Sequence, residues 1–414
     1  MTWVESTIWW HVYPLGFTGA PIREPHDEAH RLGHVVAWLD HAVELGASGL
    51  LLGPVFASQT HGYDTTDHFR VDERLGDDAD LDALIAACRE RGLRIVLDGV
   101  FNHVGAGHPW FRRALAEGPD GELADLFRID WSDPAAPRAA DFEGHASLVA
   151  LDHEHPRVAD LVVDVMTTWL DRGIDGWRLD AAYAVPTSFW ARVLPRVRER
   201  HPDAWFVAEV IHGDYGAFAA ASTVDSVTQY ELWKAIWSSL VDCNFFELDW
   251  ALTRHDEIAR AVLPATFVGN HDVTRIASRV GHEGAVLALV VLLTVAGVPS
   301  VYYGDEEAYT GVKEDRLGGD DDVRPRMPPT PADLAPWGAE TFRLHRELVG
   351  LRRRHQWLVR ATTHRTEVTH TRLAYTARST TSDDELHVTL DTTTTPRATI
   401  TDATGRVVFA YPSA

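Results

Sequence analysis

The 414-residue sequence predicts an α/β protein: a closed (β/α)8 TIM barrel with a short insertion after strand three and a C-terminal antiparallel β domain. Three observations predict it. Short apolar runs alternate with amphipathic helical stretches through most of the chain, the pattern of parallel strands covered by helices, and eight such units favour closure into a barrel. The rhythm lapses over residues 101–150, where Gly, Pro and polar clusters replace long helices. From about His355 the chain turns Thr-rich and alternating, as in His387-Val388-Thr389-Leu390 and Arg406-Val407-Val408-Phe409, which reads as antiparallel strands. These breaks divide the chain into a barrel over 1–100 and 151–354, an inserted segment over 101–150 and a C-terminal β domain over 355–414.

Taken in order, Ile8 to Tyr13 is the first β-rich run and His34 to Leu45 the helix that follows it. Gly49 to Leu52 is a buried strand ending at Gly53-Pro54, Asp80 to Arg91 a helix, and Leu93 to Leu97 the third strand. After the insertion, Val158 to Leu170 is helical, Asp175 to Leu179 a strand, Phe189 to Arg200 helical and Trp205 to Ala208 a strand. Val224 to Thr228, Ala265 to Val268 and Ser300 to Tyr303 complete the set of eight. A doubly wound open sheet would place a Gly-x-Gly-x-x-Gly turn after the first strand, and none stands there.

Composition narrows the function. Hydrophobic residues at 45% and charged residues at 24% are ordinary for a globular chain with a substantial core. A net charge of −23 opposes a nucleic-acid partner, which needs basic patches. Cys88 and Cys243 cannot build a disulfide framework, and the N-terminus lacks a basic stretch followed by an apolar run, so a cytoplasmic protein is expected. The longest apolar run, Ala285 to Gly297, is shorter than the roughly 18 residues needed to cross a bilayer. It reads as a buried helix, and no membrane partner is expected. Most of the 15 Trp residues read as core, with a few available as flat platforms for sugar rings.

In a barrel of this kind, reactive groups stand at the C-terminal ends of strands. Asp98-Gly-Val-Phe-Asn102-His103 follows strand three, Gly176-Trp-Arg178-Leu-Asp180 ends strand four, Glu209 ends strand five, and Asn270-His271-Asp272 follows strand seven. Strand alternation turns Arg178 and Asp180 to the same side. The arginine is expected to keep Asp180 ionised as a nucleophile, while desolvation among carboxylates raises Glu209 so that it can donate a proton. A retaining glycosidase needs such a pair, roughly 5–5.5 Å apart. Asp272 is a third carboxylate, suited to sugar hydroxyls or to a developing positive charge.

These four segments resemble the signature regions of the α-amylase family, glycoside hydrolase family thirteen. The resemblance implies Asp180 as nucleophile, Glu209 as acid/base and Asp272 as transition-state stabiliser. It further implies that Arg178 orients the nucleophile, that His103 and His271 bind the sugar at subsite −1, and that Asp98 is structural. His61-Gly62-Tyr63-Asp64 resembles the loop whose tyrosine stacks on that sugar, and Gly53-Pro54-Val55-Phe56 and Gly297 to Glu306 resemble the second- and eighth-strand motifs. Asp320 and Arg324 resemble the Asp and Arg that bind the donor-side sugar, although the run Asp320-Asp321-Asp322 leaves the register open by two residues. Asp64 and Arg324 are expected to pair, closing one end of the pocket and imposing exo action.

Departures from the family pattern refine the expectation. Typical α-amylases continue after the nucleophile with Ala-x-Lys-His, where the lysine touches substrate and the histidine carbonyl helps hold calcium. Here the sequence is Ala181-Ala182-Tyr183-Ala184. No cofactor is expected to be required; calcium is weakly implied by Asn102 and argued against by this departure and the short insertion. Leu148 to Pro156 and Gly173 to Asp180 resemble the cyclomaltodextrinase and neopullulanase branch, which prefers short or cyclic maltodextrins. Within it, a mixed α-1,4/α-1,6 ring, as a cyclic maltosyl-maltose hydrolase would open, is a candidate substrate. The barrel starts by residue 8, so a dimer through an N-terminal β domain is not expected, while a homodimer through another contact stays open. Transglycosylation, general starch hydrolysis, a metal-dependent hydrolase and a non-enzymatic transport relative are the alternatives. For the metal reading, His26 with His30 and His153 with His155 are the spacings to test.

Overall fold

The computed structural model describes residues 2–23, 28–133 and 135–412. Eight strands form a closed parallel barrel: β1 (Trp9–Val12), β2 (Gly49–Leu52), β3 (Arg94–Gly99) and β4 (Gly176–Leu179), then β5 (Trp205–Ala208), β6 (Ser226–Thr228), β7 (Leu263–Phe267) and β8 (Val298–Tyr302). Each pairs with its neighbours in chain order and β8 closes on β1, where His11 lies opposite Tyr302. These are the eight runs expected from the sequence, with ends moved by two residues at most.

Strand alternation sorts each strand into two faces. Trp9 belongs to the barrel interior with Val96, Trp205, Val207, Leu263 and Val298. Trp10 and Val12 join the outer core under the helices. Gly49 stands beside Trp9 in register, and a β-carbon there would run into the Trp9 ring. Its absence lets Trp9 lie flat on Trp205 inside the barrel, centroids 5.3 Å apart and planes 12° apart. Such a pair stabilises by about 0.5–1.5 kcal/mol beyond its buried area.

The helices start and stop as their end residues dictate. Asp77 caps Asp78–Glu90 by accepting the Ala79 and Asp80 N–H groups. His155 caps Pro156–Arg172, its ring accepting the Arg157 N–H at 3.2 Å, and Gly173 ends that helix in the left-handed region. His153 is buried on the Phe101 carbonyl at 3.0 Å, so the His153/His155 pair serves the chain rather than a metal. Of the other spacing, His26 lies outside the described residues.

Four differences from the sequence reading stand out. The stretch His34 to Leu45 is broken into Leu32–Val36 and Leu39–Leu45, because Trp38 turns inward and its indole donates to the Pro328 carbonyl at 3.0 Å. The inserted segment, a sheet of His103–Gly105, His145–Ala150 and Asp141–Phe142, also carries a helix, Pro109–Glu117, started by Pro109 and capped by His108. Helices Tyr230–Val241 and Phe245–Ala261 were not foreseen. Helix Ile276–Thr294 is longer than the apolar run suggested, with a break at Gly281 (φ 74°, ψ 167°). The continuous part after the break is too short to cross a bilayer, and Val286 to Thr294 are all buried.

Five antiparallel strands follow in simple up-and-down order: β9 (Thr362–Val368), β10 (Arg372–Arg378), β11 (Glu385–Asp391), β12 (Arg397–Asp402) and β13 (Val407–Tyr411). Leu386, Val388 and Leu390 alternate inward and pack with Val290 to Leu293. Tyr375 and Thr294 join the two layers through a 2.6 Å hydrogen bond between hydroxyls.

Candidate active site

The site grows out of the β3–β4–β5 ladder. Arg178 sits beside Asp98 on β3 and Val207 on β5. One residue past the strand ends the ladder continues: the Asp180 N–H donates to Gly99 O and the Glu209 N–H to Leu179 O, both at 3.0 Å. Sheet register therefore places Asp98, Asp180 and Glu209 around one guanidinium. Arg178 Nη1 donates to both Asp98 oxygens at 2.7 Å and to Asp180 Oδ1 at 3.2 Å, while Nη2 lies 2.7 Å from Glu209 Oε1. All four side chains are buried. Burial by itself would lower the arginine's pKa; Asp98, Glu209 and Asp180 overcome it, so the cation persists.

Glu209 is held on three sides. Besides Arg178, Tyr230 donates its hydroxyl to Oε1 at 3.1 Å and the Ala181 N–H donates to Oε2 at 2.9 Å. Ala181 reaches that position in the left-handed region, φ 45°, a strained conformation for a residue with a β-carbon. The Asn270 amide donates to Tyr230 Oη at 2.9 Å and its oxygen accepts the Asp272 N–H at 2.9 Å. A single relay thus ties the strand-five carboxylate to the strand-seven loop.

The charges order themselves differently from expectation. Burial first, and then the Glu209 carboxylate, push the Asp180 pKa well above the usual carboxylate range despite Arg178. The sequence reading had Arg178 keeping Asp180 ionised; in the folded site, burial and like charge outweigh it. Asp272 behaves in the opposite way. Burial would raise it, but His271, Arg324 and Arg178 outweigh that and hold it well below the usual range.

Arg324 donates to Asp272 Oδ1 and to the His271 carbonyl, both at 2.9 Å, and lies 4.5 Å above the Tyr13 ring. It also approaches Asp320 at 3.2 Å, and Asp320 approaches Lys313 at 3.3 Å. Asp320 lines the cleft while Asp321 faces Arg23 at 2.8 Å, which fixes the register left open by the Asp run. The expected Asp64–Arg324 pair is not formed. Asp64 instead accepts from the Thr60 N–H at 3.0 Å and the Thr60 hydroxyl at 2.6 Å. Its carboxylate is the cap of a tight turn, and Asp272 outcompetes it for the guanidinium.

Tyr63 donates to Asp98 Oδ2 at 3.0 Å, touches His271 Nε2, and its ring plane is nearly parallel to that of His271. His271 Nε2 is 2.9 Å from Asp272 Oδ2 and its Nδ1 is 3.3 Å from His11 Nε2. His103 lines the cleft, but burial pushes its pKa down to about 4, so the ring is neutral. Its Nε2 lies 3.0 Å from the Tyr63 carbonyl and its Nδ1 3.1 Å from Asn102 Nδ2, so neither nitrogen is free. Asn102 uses its amide nitrogen on this histidine, and its main-chain carbonyl accepts the Leu151 N–H. Among the described residues, the one group of His, Asp and Glu close enough to share a metal is His30, Asp77 and Asp80, elsewhere.

The cleft above these groups has a volume of about 460 Å³. His61, Lys313, Asp320 and Arg324 line it, as do Phe142, Glu143 and Tyr183. Among the described residues no tryptophan lines it; the aromatic side chains that do are Tyr63, Phe142, Tyr183 and Tyr230. A larger hollow of about 720 Å³ around Trp3 and Arg360 lies at the strand starts, away from the carboxylates.

Sequence reasoning missed His11, Tyr13, Tyr183 and Tyr230. The strand-end rule, carried on to β6, leads straight to Gln229-Tyr230. Strict alternation along β1 puts His11 on the inner face with Trp9. Tyr183 and Glu143 lie on turns with no periodic pattern to betray them.

A closed parallel barrel with carboxylates and a buried arginine at its C-terminal rim defines a glycosidase-type site. Residues 25–333 match the α-amylase catalytic domain, and the chain belongs to the α-amylase family of glycoside hydrolases. It is 29% identical over 385 residues to a cyclomaltodextrinase of Geobacillus thermopakistaniensis, covering 86% of this chain and 64% of that protein. It is 30% identical to neopullulanase 2 of Thermoactinomyces vulgaris, covering 75% and 58%. The chain therefore spans about three fifths of the length of the curated relatives it matches. The cyclic α-maltosyl-(1→6)-maltose hydrolase from Arthrobacter globiformis, in complex with cyclic α-maltosyl-(1→6)-maltose, superposes with a TM-score of 0.82 at 25% identity. That match covers 94% of this chain and 92% of the other.

Proposed function

We propose that the protein is a retaining glycoside hydrolase that cleaves α-glucosidic bonds, mainly α-1,4, in short linear or cyclic maltodextrins. The observation that carries this is the buried pair Asp180 and Glu209, bridged by Arg178 at the floor of the cleft. A retaining reaction needs two carboxyls sharing one proton, and two buried carboxyls held on one guanidinium support that reading. In the reactive arrangement the proton sits on Glu209. It passes to the glycosidic oxygen as the Asp180 carboxylate bonds to the anomeric carbon, and the leaving sugar departs. Water then attacks the same carbon, giving its proton to Glu209 and freeing Asp180. Asp272, kept anionic by His271, Arg324 and Arg178, stabilises positive charge on the sugar ring.

The small cleft and the names of the relatives support a compact substrate, with a mixed-linkage maltodextrin ring as one candidate. Both cysteines are unpaired, which suits a reducing, cytoplasmic setting. The test is a product profile with maltotetraose, a cyclomaltodextrin, a mixed-linkage cyclic tetrasaccharide, pullulan and soluble starch, with and without a chelator. Ring opening or short-chain cleavage with slow starch hydrolysis, unaffected by the chelator, is the expected result. Fast starch liquefaction makes it a general α-amylase, products longer than the substrate make it a transglycosylase, and inactivity throughout refutes the reading.

A further inference from the structure

The geometry points to a clasp, made by Tyr183 and Glu143, that spans the leaving-group side of the cleft and favours short or compact glucans over long chains. This rests on the glucan-cleaving reading above. Tyr183 donates its hydroxyl to Glu143 Oε1 at 2.6 Å. The bond joins a barrel loop to the inserted segment, and both residues line the cleft. Tyr183 stands three residues beyond Asp180, in the place of the lysine that typical family members put there. Its N–H donates to the Glu209 carbonyl at 3.1 Å, which puts it next to the group that would protonate the leaving sugar.

The turn that carries Glu143 gives independent support. His145 pairs with Phe142, so Glu143 and Gly144 form a two-residue hairpin loop, with φ values of 52° and 83°. Loops with two positive φ angles take Asn, Asp or Gly at the first position, and a longer side chain there carries strain. Asp141 braces the turn by accepting the Gly144 N–H at 2.9 Å. A glutamate is a poor choice for making this turn, and what offsets it is the bond to Tyr183. Broken local rules of this kind gather at functional sites. Phe142, beside Glu143, lies 4.9 Å from the His103 ring, planes 21° apart, so the hairpin is anchored to the cleft wall. Burial and the Glu143 charge both push the Tyr183 pKa up, so the phenol remains a neutral donor. A glucan running on past the scissile bond has to part this bond, whereas a ring or short oligosaccharide turns within the cleft.

Two variants test the clasp. Glu143→Asn suits the turn better than the parent residue and removes the carboxylate; Tyr183→Phe keeps the ring and removes the hydroxyl. The readout is kcat/KM for soluble amylose divided by kcat/KM for a cyclomaltodextrin. Both variants are expected to raise that ratio by about three- to tenfold, the size of one lost hydrogen bond to a charged group at a partly exposed site. A ratio unchanged within about twofold in folded Glu143→Asn overturns the clasp. If the parent cleaves neither glucan, the functional reading fails instead. The clasp is then read from calorimetric titration of maltoheptaose and maltose into Asp180→Asn and Asp180→Asn/Glu143→Asn proteins. A gain in affinity confined to maltoheptaose supports it, and equal affinities overturn it.

Discussion

Replacing Asp180 by Asn is expected to abolish turnover and at the same time to make the protein more stable. Burial first and Glu209 second hold the Asp180 carboxyl well above its ordinary pKa. An acid raised in this way binds its proton more tightly in the folded than in the unfolded chain. Below about pH 4 both states carry the proton, and the ionisation contributes nothing. As pH rises, the unfolded chain loses its proton first, and stability falls by about 1.4 kcal/mol per pH unit until the folded pKa is passed. Asparagine keeps the shape and never ionises. The stability difference between variant and parent should therefore be near zero at about pH 4, grow with that slope, and then level off. Asp305 and Glu307, both pushed by burial to about 7, tilt the two proteins equally and cancel in the difference. Glu209→Gln relieves the same repulsion, so the double variant should gain less than the sum of the two singles. Urea unfolding at several pH values, with a common m-value, measures all of this. The competing effect is the Arg178–Asp180 contact at 3.2 Å. A variant less stable than the parent at pH 7, or a gain that persists at pH 4, would show that this contact wins and that the reasoning is wrong.

Two further outcomes follow from packing and hydrogen bonding. Tyr230→Phe leaves Glu209 without one donor and the Asn270 amide without its acceptor; kcat/KM should drop by about tenfold while the melting temperature moves by only a few degrees. A rate within about twofold of the parent would remove Tyr230 from the groups that position Glu209. Gly49→Ala drives a β-carbon into the Trp9 ring and should destabilise by about 1–3 kcal/mol, read by denaturant unfolding. A loss below about 0.5 kcal/mol would mean that the Trp9–Trp205 stack has room to shift.

The barrel was legible because its strands obey one rule: each must be buried on both faces, and buried strands leave apolar runs in the sequence. The reactive groups were legible because they stop those runs abruptly, as Asp180 and Glu209 do. Helix Phe245–Ala261 was not, since Glu247, Asp249, Arg254 and Glu257, paired with charges on neighbouring elements and on the helix itself, dilute the apolar signal. Direction of charge was also hidden. Arg178 next to Asp180 in sequence suggests an ionised aspartate, but the same guanidinium is shared with Asp98 and Glu209 once the strands pair. The Asp64–Arg324 pairing failed for a similar reason, because Thr60 and Asp272 offer nearer partners that only the folded chain assembles.

The way Asp180 and Glu209 are mounted divides the labour of adaptation. Each hangs from a main-chain hydrogen bond to the strand beside it, one step beyond β4 and β5, so the distance between them is ruled by the spacing of strands in a sheet. The hairpin at Glu143, by contrast, meets the barrel through the side chains of Tyr183 and His103. Descendants of this chain can rewrite the hairpin, and with it their diet, while the cutting edge keeps its gauge.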